Sequence, residues 1–184
     1  NQVQVRLDGM VEPHIAMDAA LRYRDVNGAT AMAVAEVPDS AFCNWRRTLI
    51  QRTGKYALFV DDLTFRDGGQ GMEVEILYET ERGARVLPDG HVEFEAPREG
   101  ADGGIAEGGI WSADPMRTTC RNRVTRMAWL GSVGRVERRL FFSLVGIGLG
   151  GCIRVADNAA ALALPEPAIA VAGRHGGIDG DLVV

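Results

Sequence analysis

The stretch of residues 72–80, MEVEILYET, constrains the fold more than any other part of the chain. Its apolar and acidic residues alternate with a period of two, which is typical of a strand that has one buried and one solvated face. Similar short runs, bounded by Gly, Asp, Asn or Pro, recur along the chain and no strand-helix rhythm appears. The pattern therefore predicts an all-β fold, an antiparallel β-sandwich. Further strands are predicted at 2–7, 44–52, 56–63, 117–129, 135–145, 152–156, 160–164 and 168–172, with a hairpin over 84–96.

Two segments are less clear-cut. Residues 15–24, IAMDAALRYR, are the best helix candidate of the chain but also fit a strand, and the small apolar residues 28–37 that follow are compatible with a strand. Residues 98–109 are rich in Gly, Ala and acidic side chains and are predicted to form a long surface loop. Neither half of the chain alone would hold a thick core, so residues 1–184 are predicted to form one domain.

Composition excludes some functions. The net charge of −5 lacks the basic footprint of a nucleic-acid-binding protein. No apolar run approaches the roughly 18 residues of a transmembrane helix. Lys55 is the only lysine beside many arginines, which indicates a GC-rich bacterial coding bias. Because the chain opens on Asn1, without a start Met or signal peptide, we expect it to be a piece of a longer or processed protein.

No metal or cofactor is predicted. Cys43, Cys120 and Cys152 form no Cys-x-x-Cys pair and have no His at zinc-finger spacing, so they are predicted to be small buried residues, with one disulfide left open. The three histidines are predicted to lie in loops. The Gly- and Asp-rich stretch around His175 offers oxygen ligands but not the spacing of an EF-hand. Histidines occupy positions 14, 91 and 175.

The segment 45–63 poses the main functional question, because two arginines precede its turn and two aspartates follow it. If the two predicted strands pair around the Thr53-Gly54-Lys55 loop, Arg46 faces Asp62 and Arg47 faces Asp61. Such cross-strand ion pairs stabilise a sheet by about 0.2–1 kcal/mol each. The local sequence offers no base or metal ligand, so the four charges are interpreted as structural ion pairs rather than an active site. Apolar residues on both faces predict a central hairpin that is covered on both sides.

The same region resembles a known family. Residues 44–80, NWRRTLIQRTGKYALFVDDLTFRDGGQGMEVEILYET, are similar to part of the C-terminal β-sandwich of heparinase II/III-like polysaccharide lyases. A Trp-Arg-Arg strand there runs into a Gly-containing turn, and a Tyr-x-x-x-Val-Asp-Asp strand follows, matched here by Tyr56, Val60, Asp61 and Asp62. The opening NQVQVRLDG and the closing residues 162–184 also look like strands of such domains. The resemblance implies a lyase-type sandwich built of large sheets.

The resemblance implies β-elimination on uronic-acid polysaccharides, in which a base removes the C5 proton and an acid protonates the leaving oxygen. In the family, the catalytic Tyr and Asn or Glu belong to an N-terminal helical domain, and a His comes from a strand just upstream of the matched region. No residue here matches those motifs. No catalytic residue is therefore assigned, the chain alone is predicted to be inactive, and a periplasmic or secreted location is implied.

Candidate substrate-binding residues lie farther along the chain. An indole ring offers a flat apolar face to a sugar, and guanidinium forks suit the carboxylates of an acidic polysaccharide. On a single strand over 117–129, Arg117, Arg121 and Arg123 would share one face, and Arg126 would point to the other. Trp111 and Trp129 are the candidates for stacking on a sugar. The alternative is a solvated strand face and core tryptophans. The predicted substrate-binding residues are Trp111, Arg117, Arg121 and Arg123.

Two functions therefore remain. The chain is either the sandwich part of a uronate-polysaccharide lyase, whose partners are an acidic polysaccharide and the helical domain of the same protein, or a non-catalytic module that binds carbohydrate or serves as a scaffold. The sequence that precedes Asn1 in the complete gene product would distinguish them. The polysaccharide and the oligomeric state are not determined by the residues.

Overall fold

The described part of the chain folds almost entirely as antiparallel β-strands, as the alternating sequence predicts. A computed structural model describes residues 2–11, 19–38, 42–54, 56–81, 83–88, 91–95, 108–112, 116–121, 124–135, 138–146, 153–156, 159–162, 170–173 and 180–183. For the last four ranges, only the backbone is described. Within these residues there are seventeen strands and one turn of 3-10 helix, at Arg66–Gly69.

The strands are numbered in chain order. Their bounds are β1 Gln2–Leu7, β2 Met10–Val11, β3 Ala20–Asn27, β4 Thr30–Val37, β5 Cys43–Arg52, β6 Tyr56–Phe65, β7 Met72–Thr80, β8 Ala84–Val86, β9 Val92–Phe94, β10 Gly109–Ser112, β11 Arg117–Arg121, β12 Val124–Ser132, β13 Arg138–Gly146, β14 Ile153–Ala156, β15 Ala159–Leu162, β16 Ala170–Gly173 and β17 Gly180–Val183.

Two sheets pack face to face as a sandwich. The larger has eight strands in the order β3-β4-β5-β6-β13-β10-β9-β8, and the smaller has five in the order β11-β12-β7-β1-β2. Strands β14–β15 and β16–β17 form two separate antiparallel hairpins. The fold class, an antiparallel β-sandwich with a large sheet, is confirmed. That residues 1–184 form a single domain stays a prediction.

The core lies between the two sheets and is built from the alternating strands. In β7, Met72, Val74, Ile76 and Tyr78 are buried, as the sequence predicts, while Leu77 is buried as well on the opposite face. The facing residues of the larger sheet are apolar too, and bulky side chains of the two sheets form one cluster. From the larger sheet, this cluster takes Cys43, Leu63, Phe65, Val92, Ile110 and Phe141.

The β5–β6 hairpin has the predicted register at every position, from Trp45 opposite Leu63 to Arg52 opposite Tyr56. Gly54 lies in its three-residue loop with φ +71°, a conformation that favours glycine. The hairpin occupies the middle of the larger sheet. Ile50 is buried on one face and Leu63 on the other, so the hairpin is covered on both sides at these positions, whereas Asn44, Arg46 and Thr64 at the end away from the loop are exposed on the face of Ile50.

The chain turns at Asp8-Gly9, and the strand alternative for residues 20–24 is confirmed. Asp8 and Gly9 have φ angles of 49° and 79° and join β1 to β2 as a two-residue turn of the I′ kind. Residues 20–24 belong to β3, so the helix alternative is wrong there. Residues 15–18 lie outside the described part of the chain. Leu21 and Val26 suit a strand as well as a helix face, and pairing with β4 decides the outcome.

The predicted strand at 117–129 is wrong. The chain reverses between Arg121 and Val124, so that β11 and β12 pair with each other. The sequence has Asn122 at this point, a common turn residue whose signal the alternation concealed. Strand β10 was not predicted either, and Gly109, expected in the surface loop, begins it. Residues 98–107 of that loop lie outside the described part of the chain.

The cysteines are only partly as predicted. Cys43 is buried and Cys120 is exposed, and they form no disulfide bond within the described residues. Cys120 lies near the end of β11, which has a neighbouring strand on one side only, and this position explains its exposure. Cys152 lies outside the described residues. The part of the chain that the structure describes contains no helix with the length and apolar content needed to cross a membrane.

Candidate functional site

The carboxylate of Asp61 is the centre of a buried polar cluster between the sheets. Strand β6 places Asp61 on the inner face beside Leu63, and its side chain is 0% exposed. Trp45 donates a hydrogen bond from Nε1 to Oδ1 at 2.8 Å. Arg47 donates from Nε to Oδ1 at 2.7 Å and from Nη2 to Oδ2 at 2.9 Å. The predicted Arg47–Asp61 pair is confirmed, and three donors satisfy the buried carboxylate.

The surroundings of this cluster hold the Arg47 guanidinium in position and stabilise its charged form. The Arg47 guanidinium lies over the rings of Trp45 and Phe59, 5.0 and 5.4 Å from their centroids. Burial by itself would lower the pKa of Arg47, but the hydrogen bonds and charge of Asp61 outweigh burial and raise the pKa. Burial also raises the pKa of Tyr78, and the charge of Asp61 raises it further. Because Asp61 has no exposed surface, the cluster supports the interpretation of Arg47 and Asp61 as a structural ion pair rather than part of an active site.

Asp62, the next residue, points to the opposite face of the same strand and has a different partner from the predicted one. Arg46 is its cross-strand neighbour, as predicted. The carboxylate instead accepts two hydrogen bonds of 2.8 Å, from Nε and Nη2 of Arg138. The predicted Arg46–Asp62 ion pair is therefore wrong, because β13 flanks β6 on its other side and Arg138 reaches Asp62 with a bidentate fork. Arg46 is exposed, and its guanidinium forms no ion pair or hydrogen bond within the described residues.

A polar pocket of about 330 Å³ surrounds this second carboxylate. We call it the Arg46 pocket. Its residues occupy one face of the four neighbouring strands β4, β5, β6 and β13, in two adjacent cross-strand rows. Its lining consists of Glu36, Asn44, Arg46, Asp62, Thr64 and Arg138. Four of these six were not singled out by sequence reasoning. They lie up to a hundred residues apart, and only the strand order β4-β5-β6-β13 brings them together.

The predicted substrate-binding residues lie in two different sheets. Trp111 belongs to β10 of the larger sheet, opposite Leu144. Arg117 and Arg121 belong to β11, the edge strand of the smaller sheet, and Arg117 is exposed. The side chains of Trp111 and Arg121 are outside what the structure describes, as is the whole of Arg123. Substrate binding by these residues stays a prediction.

Arg126 and Trp129 are not where the single-strand prediction placed them. Arg126 lies opposite Thr119 and Glu79, and so on the same face as Arg117, because the chain reverses between β11 and β12. It pairs with Glu79 at 3.3 Å. Trp129 is a core residue 4.8 Å from the Phe141 ring, so it is not an exposed platform for a sugar.

The described residues contain no group of three or more His, Cys, Asp or Glu side chains that could hold a metal ion. His91 is half-buried just before β9, where its carbonyl oxygen accepts a 2.8 Å hydrogen bond from the Leu87 N–H. His14 and His175 lie outside the described residues.

Comparison with known proteins identifies similar folds by structure alone. No protein-family model matches the sequence, and no curated protein matches it. A mutant of the heparan sulfate lyase HepC from Pedobacter heparinus superposes with a TM-score of 0.61 at 13% identity, over 97% of this chain and 29% of that one. A heparinase III gene product with methylated lysines gives 0.58 at 11% identity, over 96% and 28%. A further heparinase III structure gives 0.53 at 11% identity, over 88% and 26%.

At this identity, the likeness establishes the fold. The chain spans less than a third of the length of the solved structures it matches. Nearly all of its own length superposes, so the match covers the whole sandwich rather than one motif. The resemblance to heparinase-like lyases, first indicated by residues 44–80, is thereby confirmed as a shared fold: this chain has the β-sandwich fold present within heparinase III structures.

Proposed function

We propose that this chain is the β-sandwich part of a polysaccharide lyase that acts by β-elimination on a uronic-acid-containing polysaccharide. One observation carries the proposal: 97% of the chain superposes on 29% of a heparan sulfate lyase. A domain of this size and fold inside a longer lyase supports the same role here. The catalytic base and acid would come from sequence outside this chain, in a helical domain of the same protein.

The chemistry of β-elimination supports a catalytic base and acid that lie outside this chain. β-Elimination requires a base at C5, an acid at the leaving oxygen and a cation beside the uronate carboxylate. Tyr56 and Tyr78 are buried, and burial raises the pKa of each phenol, so both stay protonated and poor as bases near neutral pH. Exposed arginines such as Arg46 and Arg117 are suited to the third task, neutralisation of the carboxylate.

A second candidate function is a non-catalytic module that binds an acidic polysaccharide. Arg117 is exposed on the outer face of the smaller sheet, and Arg126 lies on the same face. Guanidinium groups on a sheet face can bind carboxylates without any base nearby. The two functions differ in what precedes Asn1 in the complete gene product. A long helical region carrying Tyr, Asn and His supports the lyase, whereas an unrelated domain supports the binding module.

An assay of the complete gene product beside this chain tests the proposal. Each protein is mixed with heparan sulfate, alginate and hyaluronan, and the ultraviolet absorbance of the unsaturated uronate product is followed. We expect turnover of at least one polymer by the complete protein and none by this chain. Sustained product formation by the chain alone would place the base within residues 1–184 and overturn the division of labour. Absence of turnover by the complete protein on all three polymers would favour the binding module.

A further inference from the structure

The Arg46 pocket is notable for the balance of its charges. Two acidic and two basic residues line it, but three of the four are already neutralised. Arg138 holds Asp62 with two hydrogen bonds of 2.8 Å. Glu36 accepts a 2.8 Å hydrogen bond from Nε of Arg22 on the neighbouring strand β3. The guanidinium of Arg46 is the charge that remains without a counter-ion among the described residues, and it is exposed to solvent.

Neutral hydrogen-bonding groups lie beside this cation. Asn44 and Thr64 face each other across β5 and β6, one row from the Arg46–Asp62 pair. Both are exposed, and neither side chain hydrogen-bonds within the described residues. Neighbouring strands are about 4.8 Å apart and alternate residues of a strand about 6.8 Å apart, so the two rows span roughly 14 Å by 7 Å. Among the described residues, the pocket therefore presents one guanidinium without a counter-ion, together with an amide and a hydroxyl on one compact surface.

The framework around Arg46 is rigid. β5 and β6 are central strands, and Ile50 and Leu58 on the same face as the pocket are fully buried. The bidentate Arg138–Asp62 pair links β13 to β6 within the lining of the pocket. The backbone that carries Arg46 therefore needs no reordering when the guanidinium binds a carboxylate in a forked geometry, and only the side chain loses rotamer freedom, at a cost of about 0.5–1.5 kcal/mol.

We propose that the Arg46 pocket binds a uronate residue of an acidic polysaccharide. Arg46 donates to the carboxylate, and Asn44 and Thr64 hydrogen-bond to hydroxyl groups of the same or the adjacent sugar. The choice of a uronate rests on the proposed function of the chain, whereas the anion site itself rests on the guanidinium of Arg46, which has no ion-pair partner within the part of the chain that the structure describes. This surface lies in the larger sheet, apart from the arginines of β11 in the smaller sheet.

The test is a calorimetric titration with an unsulfated hyaluronan oligosaccharide at low salt, with a dextran fragment of matched length as the neutral probe. We expect the wild-type chain to bind hyaluronan and not dextran. Arg46→Gln should weaken hyaluronan binding by about fivefold or more, which corresponds to the loss of one charge-assisted contact. Arg46→Lys keeps the charge but not the forked geometry of the guanidinium, so its affinity for hyaluronan should lie between those of the wild-type chain and Arg46→Gln.

Arg24→Gln is the matched control, since Arg24 is also an exposed strand arginine but lies on the opposite face of the same sheet. It removes the same net charge and should change affinity by less than about twofold, because exposed charges at a distance are screened by salt. Equal loss in Arg46→Gln and Arg24→Gln would overturn the proposal. Asn44→Ala provides a second variant that leaves every charge in place, and unchanged affinity in both pocket variants would overturn it too.

Three further outcomes are informative: the first tests the uronate assignment, and the other two separate this inference from the proposed function. Binding of heparan sulfate without any binding of hyaluronan would mean that the pocket takes sulfate, which overturns the uronate assignment. Lyase turnover by the complete gene product without Arg46-dependent binding overturns the proposed role of the pocket and leaves the proposed function standing. Arg46-dependent binding without turnover by the complete gene product supports the pocket and removes the lyase.

Discussion

Asp61 and Asp62 are adjacent in β6 and have opposite environments. Asp61 lies between the sheets, fully buried, with three hydrogen bonds from Trp45 and Arg47. Asp62 lies on the other face, where its side chain is 15% exposed and lines the Arg46 pocket. A strand sends neighbouring side chains to opposite faces, so a pair of identical residues can serve two purposes. Here one member stabilises the fold and the other helps to build a candidate ligand site.

The two arginines that precede the turn divide in the same way. Arg47 is largely buried and bound to Asp61, while Arg46 is exposed and forms no ion pair with any described residue. The cross-strand register alone would predict two equivalent ion pairs. The difference arises from the third strand, because β13 supplies Arg138 to one aspartate and the apolar Phe141 to the other. Charge pattern within a hairpin is therefore a weaker guide to function than the strands that flank it.

The largest expected effect is that of Asp61→Ala. The substitution leaves the buried Arg47 charge without its partner, which typically costs about 3–5 kcal/mol in the free energy of unfolding. Urea unfolding followed by tryptophan fluorescence measures the loss. The double variant Arg47→Met with Asp61→Leu should lose clearly less than the sum of the single changes, since no buried charge is then left. An unchanged unfolding midpoint for Asp61→Ala would show that the cluster is not structural.

The next effect concerns alkaline pH. Tyrosine ordinarily titrates near pH 10, and burial raises the pKa of Tyr78 in the folded chain. The unfolded chain therefore loses this proton first, so stability is intact below about pH 10 and falls as the pH rises above it, by at most about 1.4 kcal/mol per pH unit for this group. Unfolding midpoints measured between pH 8 and about pH 11.5 show the slope.

The tyrosine variants assign that slope. Tyr78→Phe should flatten it, because the buried phenol no longer titrates in either state. Tyr56→Phe should flatten it less, since the pKa of Tyr56 is raised in the same direction and by the same cause but the group is less enclosed. Tyr23→Phe, on the exposed edge strand β3, is the control and should behave as wild type. A slope that survives in both buried variants would contradict the account.

A smaller effect is expected for Arg138→Ala, which removes the partner of Asp62. The Arg138 side chain is 31% exposed, so water can solvate the freed carboxylate. We expect a loss of about 1 kcal/mol in the free energy of unfolding, as for partly solvated ion pairs. The same urea titration measures it. A cost as large as that of Asp61→Ala would remove the distinction between the two faces of β6.

Local patterns gave the hairpin and β7 correctly, for physical reasons. The register of β5 and β6 follows from a short Gly-containing loop and from apolar residues that match across the pair. The alternation of β7 follows from burial of one face. In contrast, the reversal between β11 and β12 was hidden, because arginine and threonine in Arg117–Arg121 alternate as well in a hairpin as in one long strand.

The candidate site was less accessible from the sequence. Arg46 and Asp62 were recognised, but Glu36, Thr64 and Arg138 carry no local signal and join them only through non-consecutive strand order. Trp129 was considered for sugar binding because an indole suits both a core and a sugar face, and only packing against Phe141 distinguishes the two. Pairing across distant segments is what the residues alone do not specify.

The most direct test of this account compares Arg46→Gln with Arg47→Gln in two measurements on each variant, the unfolding midpoint and the affinity for the hyaluronan oligosaccharide. Arg47→Gln should lower the midpoint strongly, because it leaves the carboxylate of Asp61 buried without its charged partner. Arg46→Gln should change the free energy of unfolding by less than about 0.5 kcal/mol, as for exposed substitutions, and so leave the midpoint nearly unchanged. The same substitution should weaken hyaluronan binding about fivefold. If Arg47→Gln instead unfolds like wild type and loses binding, the charge cluster between the sheets is a functional site and the division between the two faces of β6 is wrong.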